Sequence, residues 1–333
     1  MSLLKKFKQY NNRHQLIQVG DKLVVGVSGG PDSVALLTML SRMQKKESLE
    51  LIVAHVNYGL RGRDSEQDEQ LTRKLAKKLN LDILVKRYQA KERKGNPEEL
   101  MRDFRYLFFE EIRAKYKFNK IVVAHTLDDR VETFLMNLIR GTGIRGLVSL
   151  KERRGNIIRP LLEVKKEEIV TWLKKEKVDF RIDSSNQDNY FYRNSIRNEL
   201  IPFMEKKYNP VVKRKIFNLV AQLEEVSDLV ENKLKKIYND SIIKRKRNEL
   251  ILDQDKLSKL SIFWQGECFR QALGELKGDL NNITQTNVNE FYKIVKSTKG
   301  KRQKMRLGTI DLERVGTQLI FKIEAKKSVK QVK

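Results

Sequence analysis

The sequence predicts an α/β protein, with a doubly wound parallel sheet over residues 1–205 and a basic, mainly helical region over 206–333 that ends in short strands. Three observations lead to this reading. Between Lys22 and Ala124, short apolar runs alternate with longer helical patterns, as strands covered on both faces by helices should. That alternation stops near Pro202 and Pro210. The later part carries two dense basic runs, at 244–247 and 296–306.

The elements follow in chain order. Leu3, Leu4 and Phe7, then Leu16 and Ile17, mark an amphipathic segment that docks on the first domain. Residues 1–20 hold Lys5, Lys6, Lys8 and Arg13 and no acid, the charge bias of a transit peptide, but only one serine and no apolar core of signal-peptide length. A cytoplasmic protein is the expectation. Strands are expected at 23–27, 51–56, 83–87 and 121–124, with helices at about 31–44, 65–79, 98–116 and 129–140. Ligands of such sheets bind beyond the C-terminal strand ends, so chemistry belongs in the loops after Val27, Val56 and Ala124. Later helices are expected at 210–238, 254–275 and 287–296, and short strands at 304–322 with a turn at Gly316.

Composition narrows the function. The chain has 333 residues, enough for two cored domains, and 69 Lys+Arg against 43 Asp+Glu give a formal charge of +26. A pI near 9.9 points to a polyanionic partner, with nucleic acid foremost. No apolar run is long enough to cross a membrane as a helix. One cysteine, Cys268, excludes a disulfide framework and a cysteine-rich metal or iron–sulfur site, and its apolar surroundings suggest core. With only three histidines, no protein-held transition metal is expected.

The strongest local signal is the run from Leu23 to Leu37, in which a buried strand meets Ser28-Gly29-Gly30-Pro31-Asp32-Ser33 and then a helix. Pro31 suits the first helical position. Gly29 and Gly30 are expected to take positive φ and aim N–H groups at one anion, helped by the helix N-terminus and the hydroxyls of Ser28 and Ser33. This is not a Walker A loop, since no Gly-Lys-Ser/Thr follows. Asp32 among phosphate donors calls for Mg²⁺ or an ammonium to offset it. The plain alternative is a strand–helix turn with Asp32 complementing the helix dipole.

Ser28–Ser33 resembles the SGGxDS signature of the PP-loop ATP pyrophosphatases. His55-Val-Asn-Tyr-Gly-Leu-Arg61 is similar to the HVNHGLR segment of tRNA(Ile)-lysidine synthetases, with Tyr58 at the usual histidine. The stretch from Ala124 to Thr133, the Arg-Gly-Thr-Gly-Ile-Arg-Gly-Leu run ending at Leu147, Arg159-Pro-Leu-Leu162, 183–186 and 193–200 continue the likeness, which covers about residues 15–205. The resemblance implies a ligase that uses ATP with Mg²⁺ to adenylylate the wobble cytidine of tRNA(Ile) with a CAU anticodon. Free L-lysine then displaces AMP to give lysidine. It implies no membrane partner, and a homodimer is compatible with it.

Candidate residues follow from that chemistry. Asp128, Asp129 and Glu132 open a helix at the ligand edge of the sheet, to hold lysine's ammonium; Thr126 to Asp129 also has the outline of a capping box. Arg102 and Arg105 are candidate phosphate or base clamps, or half of structural ion pairs, on a helix that Asn96 and Pro97 start. Asp32, Arg105 and Asp129 are the expected catalytic set. His55 and His125 follow strands, as adenine-pocket residues or hydrogen-bonded core residues do. Arg140 and Arg145 flank a glycine-containing loop that reads as a closing segment or as a helix C-cap. Arg193, Asn194 and Arg197 are expected against ATP or tRNA, and Lys299, Lys301 and Arg302 against tRNA phosphates. Two other readings compete: another adenylylating RNA-modifying enzyme of the superfamily, and a non-catalytic RNA-binding module.

Overall fold

The computed structural model describes residues 2–60, 62–88, 96–148, 150–181, 192–278, 283–297 and 302–323. Arg61, the 183–186 motif, Lys299 and Lys301 lie outside them. The chain divides into two compact units, Met1–Glu224 and Glu225–Lys333.

The first unit begins with α1 (Leu3–His14), whose Leu3, Phe7 and Tyr10 are buried. Then follow β1 (Lys22–Gly26), α2 (Pro31–Met43), β2 (Glu50–Asn57), α3 (Arg63–Lys78), β3 (Asp82–Arg87), α4 (Pro97–Lys115) and β4 (Lys120–Val122). All fall within a few residues of the expected spans. After β4 come α5 (Leu127–Arg140), α6 (Ile144–Leu147), β5 (Arg153–Arg154), β6 (Ile157–Ile158) and α7 (Lys166–Lys175). A helical stretch then runs through α8 (Tyr192–Ser195), a π-helical turn (Ile196–Leu200) and α9 (Ile201–Lys207), and α10 (Val212–Ser241) begins in this unit.

The six-stranded sheet has the order β3-β2-β1-β4-β6-β5, parallel except for β5. Successive strands move outward from β1 to β3, and β4 then returns to the other side of β1. The strand order therefore reverses between β1 and β4, where open parallel sheets bind ligands. Alternate residues of β1 serve two cores, as the two-residue period of a strand requires. Leu23 and Val25 pack with Leu37, Leu40 and Trp172 on one face, while Val24 packs with Phe108, Phe109 and Ile121 on the other. A Cβ on Gly26 would stand 2.7 Å from the Phe109 ring, so that position has room for no side chain.

A third core joins Leu127, Val131 and Phe134 of α5 to Ile196, Ile201, Ile216, Phe217 and Val220. This packing carries the first half of α10 into the first unit. The compact units consequently divide inside that helix, further along than the 205/206 boundary expected from the composition shift.

The second unit holds the rest of α10 and a five-stranded antiparallel sheet ordered β7-β8-β11-β10-β9. Its elements are β7 (Ile242–Lys246), β8 (Glu249–Asp253), α11 (Gln254–Ser258), α12 (Ile262–Lys277), α13 (Gln285–Lys296), β9 (Gln303–Leu307), β10 (Ile310–Val315) and β11 (Gln318–Ile323). The single helix expected at 254–275 is two, with the Gln265 side chain donating to the Leu260 carbonyl at the break (2.9 Å). The basic run at 244–247 proves to lie on an edge hairpin that its charge had concealed. Lysines and arginines on an edge strand also discourage pairing with another chain. Phe269, Phe291 and Phe321 center the core around Cys268, whose buried thiol is pushed up to about 12. Among the described residues, no helix is long and apolar enough to cross a membrane.

Candidate active site

The loop after β1 has the expected strand–loop–helix form with one correction. Gly29 takes a left-handed φ of +91°, but Gly30 is extended at φ −73° and serves as the N-cap of α2. Gly29 also lies against α3, where a Cβ would stand 3.2 Å from the Asp68 carbonyl oxygen. The hydroxyls of Ser28 and Ser33 are 3.2 Å apart, and the Ser33 hydroxyl donates to the Gly30 carbonyl (3.0 Å). They shape the turn as well as line it. Arg181 braces it from outside: its backbone N–H donates to Gly29 (3.2 Å), and its guanidinium spans Asp64, Gln67 and Asp68 of α3.

Across the switch point, Thr126 and Asp129 form a capping box at the start of α5. Asp129 Oδ2 accepts from the Thr126 N–H (2.8 Å) and hydroxyl (2.9 Å). Its other oxygen faces cations: Lys166 Nζ at 3.0 Å, Arg193 at 3.3 Å and Arg197 at 3.8 Å. The alternatives open in the sequence are thus both present on one side chain. Burial opposes its charge, but Lys166, Arg193 and the Thr126 N–H outweigh that and hold the Asp129 carboxyl well below the usual range.

Asp32 has the opposite character. Burial pushes its carboxyl up to about 7 against the pull of Lys166 at 4.0 Å, and Asp129 adds to the rise. Its Oδ1 is buried without a hydrogen-bond partner. The offsetting ammonium expected from the sequence is Lys166. Nothing in the sequence distinguished it from Lys165: its position follows from Asp128, which accepts the Lys166 backbone N–H (2.9 Å) at the start of α7.

Two expected substrate ligands are otherwise engaged. Asp128 holds that helix N-terminus and Lys213 (3.1 Å). The Glu132 side chain is 1% exposed and binds Arg193 (2.8 Å) and Arg197 (2.6 Å), so it orients these arginines toward Asp129. Buried Asn194 lies between them in sequence.

The histidines have fixed and opposite tautomers. His55 Nδ1 donates to the Val27 carbonyl (2.8 Å), leaving Nε2 a buried acceptor without a partner. His125 Nδ1 accepts from Arg159 Nε (3.2 Å), so its proton is on Nε2. Burial lowers both imidazoles, His125 down to about 3 despite the nearby Asp129. Arg105 lies beside the Tyr58 hydroxyl and over the Tyr106 ring at 5.4 Å, whereas Arg102 is exposed next to Asp103.

The other expected arginines lie on other elements. Arg140 ends α5, about 16 Å along the helix from Asp129 at 1.5 Å per residue, and Gly141 caps that end in the left-handed conformation. Arg145 lies on α6. Arg302 belongs to the second unit and pairs with Glu313. A mostly apolar groove of about 550 Å³, lined by Ile139, Tyr192, Ile196, Leu200 and Phe203, involves other residues of the helical stretch that carries Arg193 and Arg197.

Comparison with known proteins agrees with this fold. Residues 2–204 match the PP-loop domain family. The chain is 32% identical over 329 residues to a tRNA(Ile)-lysidine synthase of Clostridium perfringens strain ATCC 13124, covering 97% of this chain and 70% of that one. It is 31% identical to a tRNA(Ile)-lysidine synthase of Caldanaerobacter subterraneus subsp. tengcongensis, covering 98% and 71%. Among solved structures, the U34-tRNA thiolase NcsA of Methanococcus maripaludis, which carries a [4Fe-4S] cluster, aligns with a TM-score of 0.56 at 20% identity, over 67% of this chain and 78% of that one. This last likeness is one of fold.

Proposed function

This chain belongs to the tRNA(Ile)-lysidine synthase family of PP-loop proteins, and on that premise we propose that it joins free L-lysine to C2 of the wobble cytidine in tRNA(Ile) with a CAU anticodon. The observation that carries the reading is the meeting of Asp32 from the phosphate loop with Asp129, Arg193 and Arg197 across the switch point, through Lys166. One side of the crevice suits an anion and the other a cation, as a reaction between ATP and an amine requires.

In the first step the cytidine O2 attacks the α-phosphorus, the α–β bridging bond breaks, and pyrophosphate leaves. The Gly29–Ser33 backbone and the N-terminus of α2 hold the phosphates. His55 Nε2 as acceptor and His125 Nε2–H as donor complement the amino group and a ring nitrogen of adenine. Mg²⁺ fits as a companion of ATP, because Asp32 offers a carboxylate oxygen without a partner. No group of three or more metal-ligating side chains occurs among the described residues. The ion supplies neutralisation of phosphate charge. In the second step the ε-ammonium of lysine releases a proton to solvent. The free amine attacks C2, the C2–O bond breaks, AMP leaves, and the proton remaining on the attacking nitrogen passes to solvent. Asp129, held ionised, is suited to bind the ammonium and not to take its proton. Arg193 and Arg197, oriented by Glu132, face the developing charge on the departing AMP.

Sulfur transfer, the activity named for the thiolase, is disfavoured here. This chain has one cysteine, buried and with a raised thiol pKa, and cannot hold a cluster by thiolates. The test is pyrophosphate release from ATP with and without tRNA(Ile), followed by mass spectrometry of the nucleosides after adding lysine. Release that needs tRNA, and lysidine that needs both tRNA and lysine, are expected. Release without tRNA, or a product lacking the mass of lysine, refutes the reading.

A further inference from the structure

The mechanism above leaves Lys166 without a task, although its ammonium stands at the center of the site. Its backbone is fixed as the first residue of α7, and Nζ reaches 3.0 Å from Asp129 and 4.0 Å from Asp32. Of the cations around Asp129, Arg193 and Arg197 are also hydrogen-bonded to Glu132, at 2.8 Å and 2.6 Å. The other carboxylates that act on Lys166 are Glu132, which already holds both arginines, and Asp32, which lies beyond hydrogen-bond distance at 4.0 Å. Lys166 is therefore the cation free to leave. It is a compact charge on a flexible stem, whereas the two guanidinium forks are held in place.

Two needs of the site meet at this residue. The phosphate loop lacks the lysine of a Walker loop, and the hydroxyls it offers are partly committed to each other. Charge on departing pyrophosphate calls for a cation supplied from elsewhere. On the opposite side, the ε-ammonium of substrate lysine has the same chemistry as Lys166 Nζ and would compete with it for the same oxygen of Asp129.

We propose that Lys166 is the cation of this phosphate loop: on ATP binding it moves from Asp129 to the pyrophosphate end of the nucleotide and, by leaving, opens Asp129 to substrate lysine. Nucleotide and lysine then bind with positive coupling, each strengthening the other by the same factor. This rests on the reading of Asp129 as the lysine-holding carboxylate.

Calorimetry of L-lysine binding, with and without α,β-methylene-ATP and in the absence of tRNA, tests the coupling. For the wild type we expect the analogue to tighten lysine binding by about tenfold or more. Lys166→Gln should bind lysine more tightly than wild type without nucleotide, and the analogue should change that by less than about twofold. The same variant should release pyrophosphate at least about a hundredfold more slowly with saturating ATP and tRNA, while Lys166→Arg keeps the charge and most of the rate. A cooperative urea transition, with its native baseline extending past the assay conditions, establishes that the variants are folded. Wild-type lysine binding indifferent to the analogue overturns the proposal. So does a Lys166→Gln enzyme that keeps the coupling or the wild-type rate. A wild type that releases no pyrophosphate with tRNA refutes the function itself, and the role of Lys166 falls with it; a normal wild type beside an equally active Lys166→Gln refutes only the role of Lys166.

Discussion

Replacing Asp129 by Asn separates the two functions that meet on this side chain. The amide oxygen can keep the hydrogen bonds from the Thr126 N–H and hydroxyl, now at 2.8 Å and 2.9 Å, so the capping box survives. The amide NH₂ then faces Lys166 and Arg193, which lose their carboxylate at 3.0 Å and 3.3 Å. Breaking a fully buried pair costs about 3–5 kcal/mol. Here the Lys166 and Arg193 side chains are 30% and 27% exposed, and Asp32 and Glu132 remain nearby to share the charge. A stability loss of about 2 kcal/mol is therefore expected. Thr126→Ala removes only the capping hydroxyl and should cost about 1 kcal/mol. The rates should separate far more widely. Losing a positioned charged group costs about 10²–10⁴ in rate, so Asp129→Asn should form lysidine at least about a hundredfold more slowly, or about 2.7 kcal/mol of barrier. Thr126→Ala should stay active wherever it is folded. Urea unfolding gives the stabilities, and mass spectrometry of tRNA nucleosides gives the rates. If both variants lose about 1 kcal/mol and both turn over normally, Asp129 is a helix cap and the carboxylate of the reaction lies elsewhere.

Three further predictions follow from the same geometry. Asp32 rises from 3.8 to about 7 on folding, so the folded state holds its proton more tightly, and the stability present below about pH 4 is lost as pH rises through about 7. About three pKa units at about 1.4 kcal/mol each bound this at about 4 kcal/mol; Asp32→Asn should abolish the loss and be the more stable protein at pH 8, and an Asn variant no more stable there refutes the shift. Gly29→Ala, with φ +91° and the Asp68 carbonyl in its way, should cost about 1–3 kcal/mol and weaken ATP binding. Gly30→Ala, extended and with nothing nearer than 3.5 Å, should be close to neutral for folding; equal melting temperatures for the two variants would contradict this account of the loop. For tRNA, about six phosphate contacts give a log–log salt slope of about −4 to −5, and replacing Lys299, Lys301 and Arg302 by Gln should make it shallower by about two to three. An unchanged slope places the tRNA surface elsewhere, and the pairing of Arg302 with Glu313 makes that residue the first to question.

The second unit shows where sequence patterns mislead. Its hairpin at 242–253 was hidden because β7 is an edge strand, exposed for most of its length and basic, so that no alternation of apolar and polar residues betrays it. The short strands of β5 and β6, two residues each, are below the length at which periodicity can be read.

By itself, the sequence determined the elements of the parallel sheet, the phosphate loop after the first strand, the capping box at Thr126 and the family likeness. These are local: each depends on residues within one turn or one strand, where backbone preference and hydrophobic spacing act over a few positions. Only the tertiary structure decided what the charged side chains do. Asp128 and Glu132 bracket Asp129 in the sequence and looked like its partners, yet one caps α7 and the other binds the arginines. Lys166 was one lysine among many until the reversal of strand order between β1 and β4 set α2 and α5 on either side of it. Electrostatic energy depends on distance and burial in space. Two aspartates at the starts of two helices could be found in the sequence. That burial would drive one toward protonation, while three cations hold the other ionised despite its burial, followed only from their places in the fold.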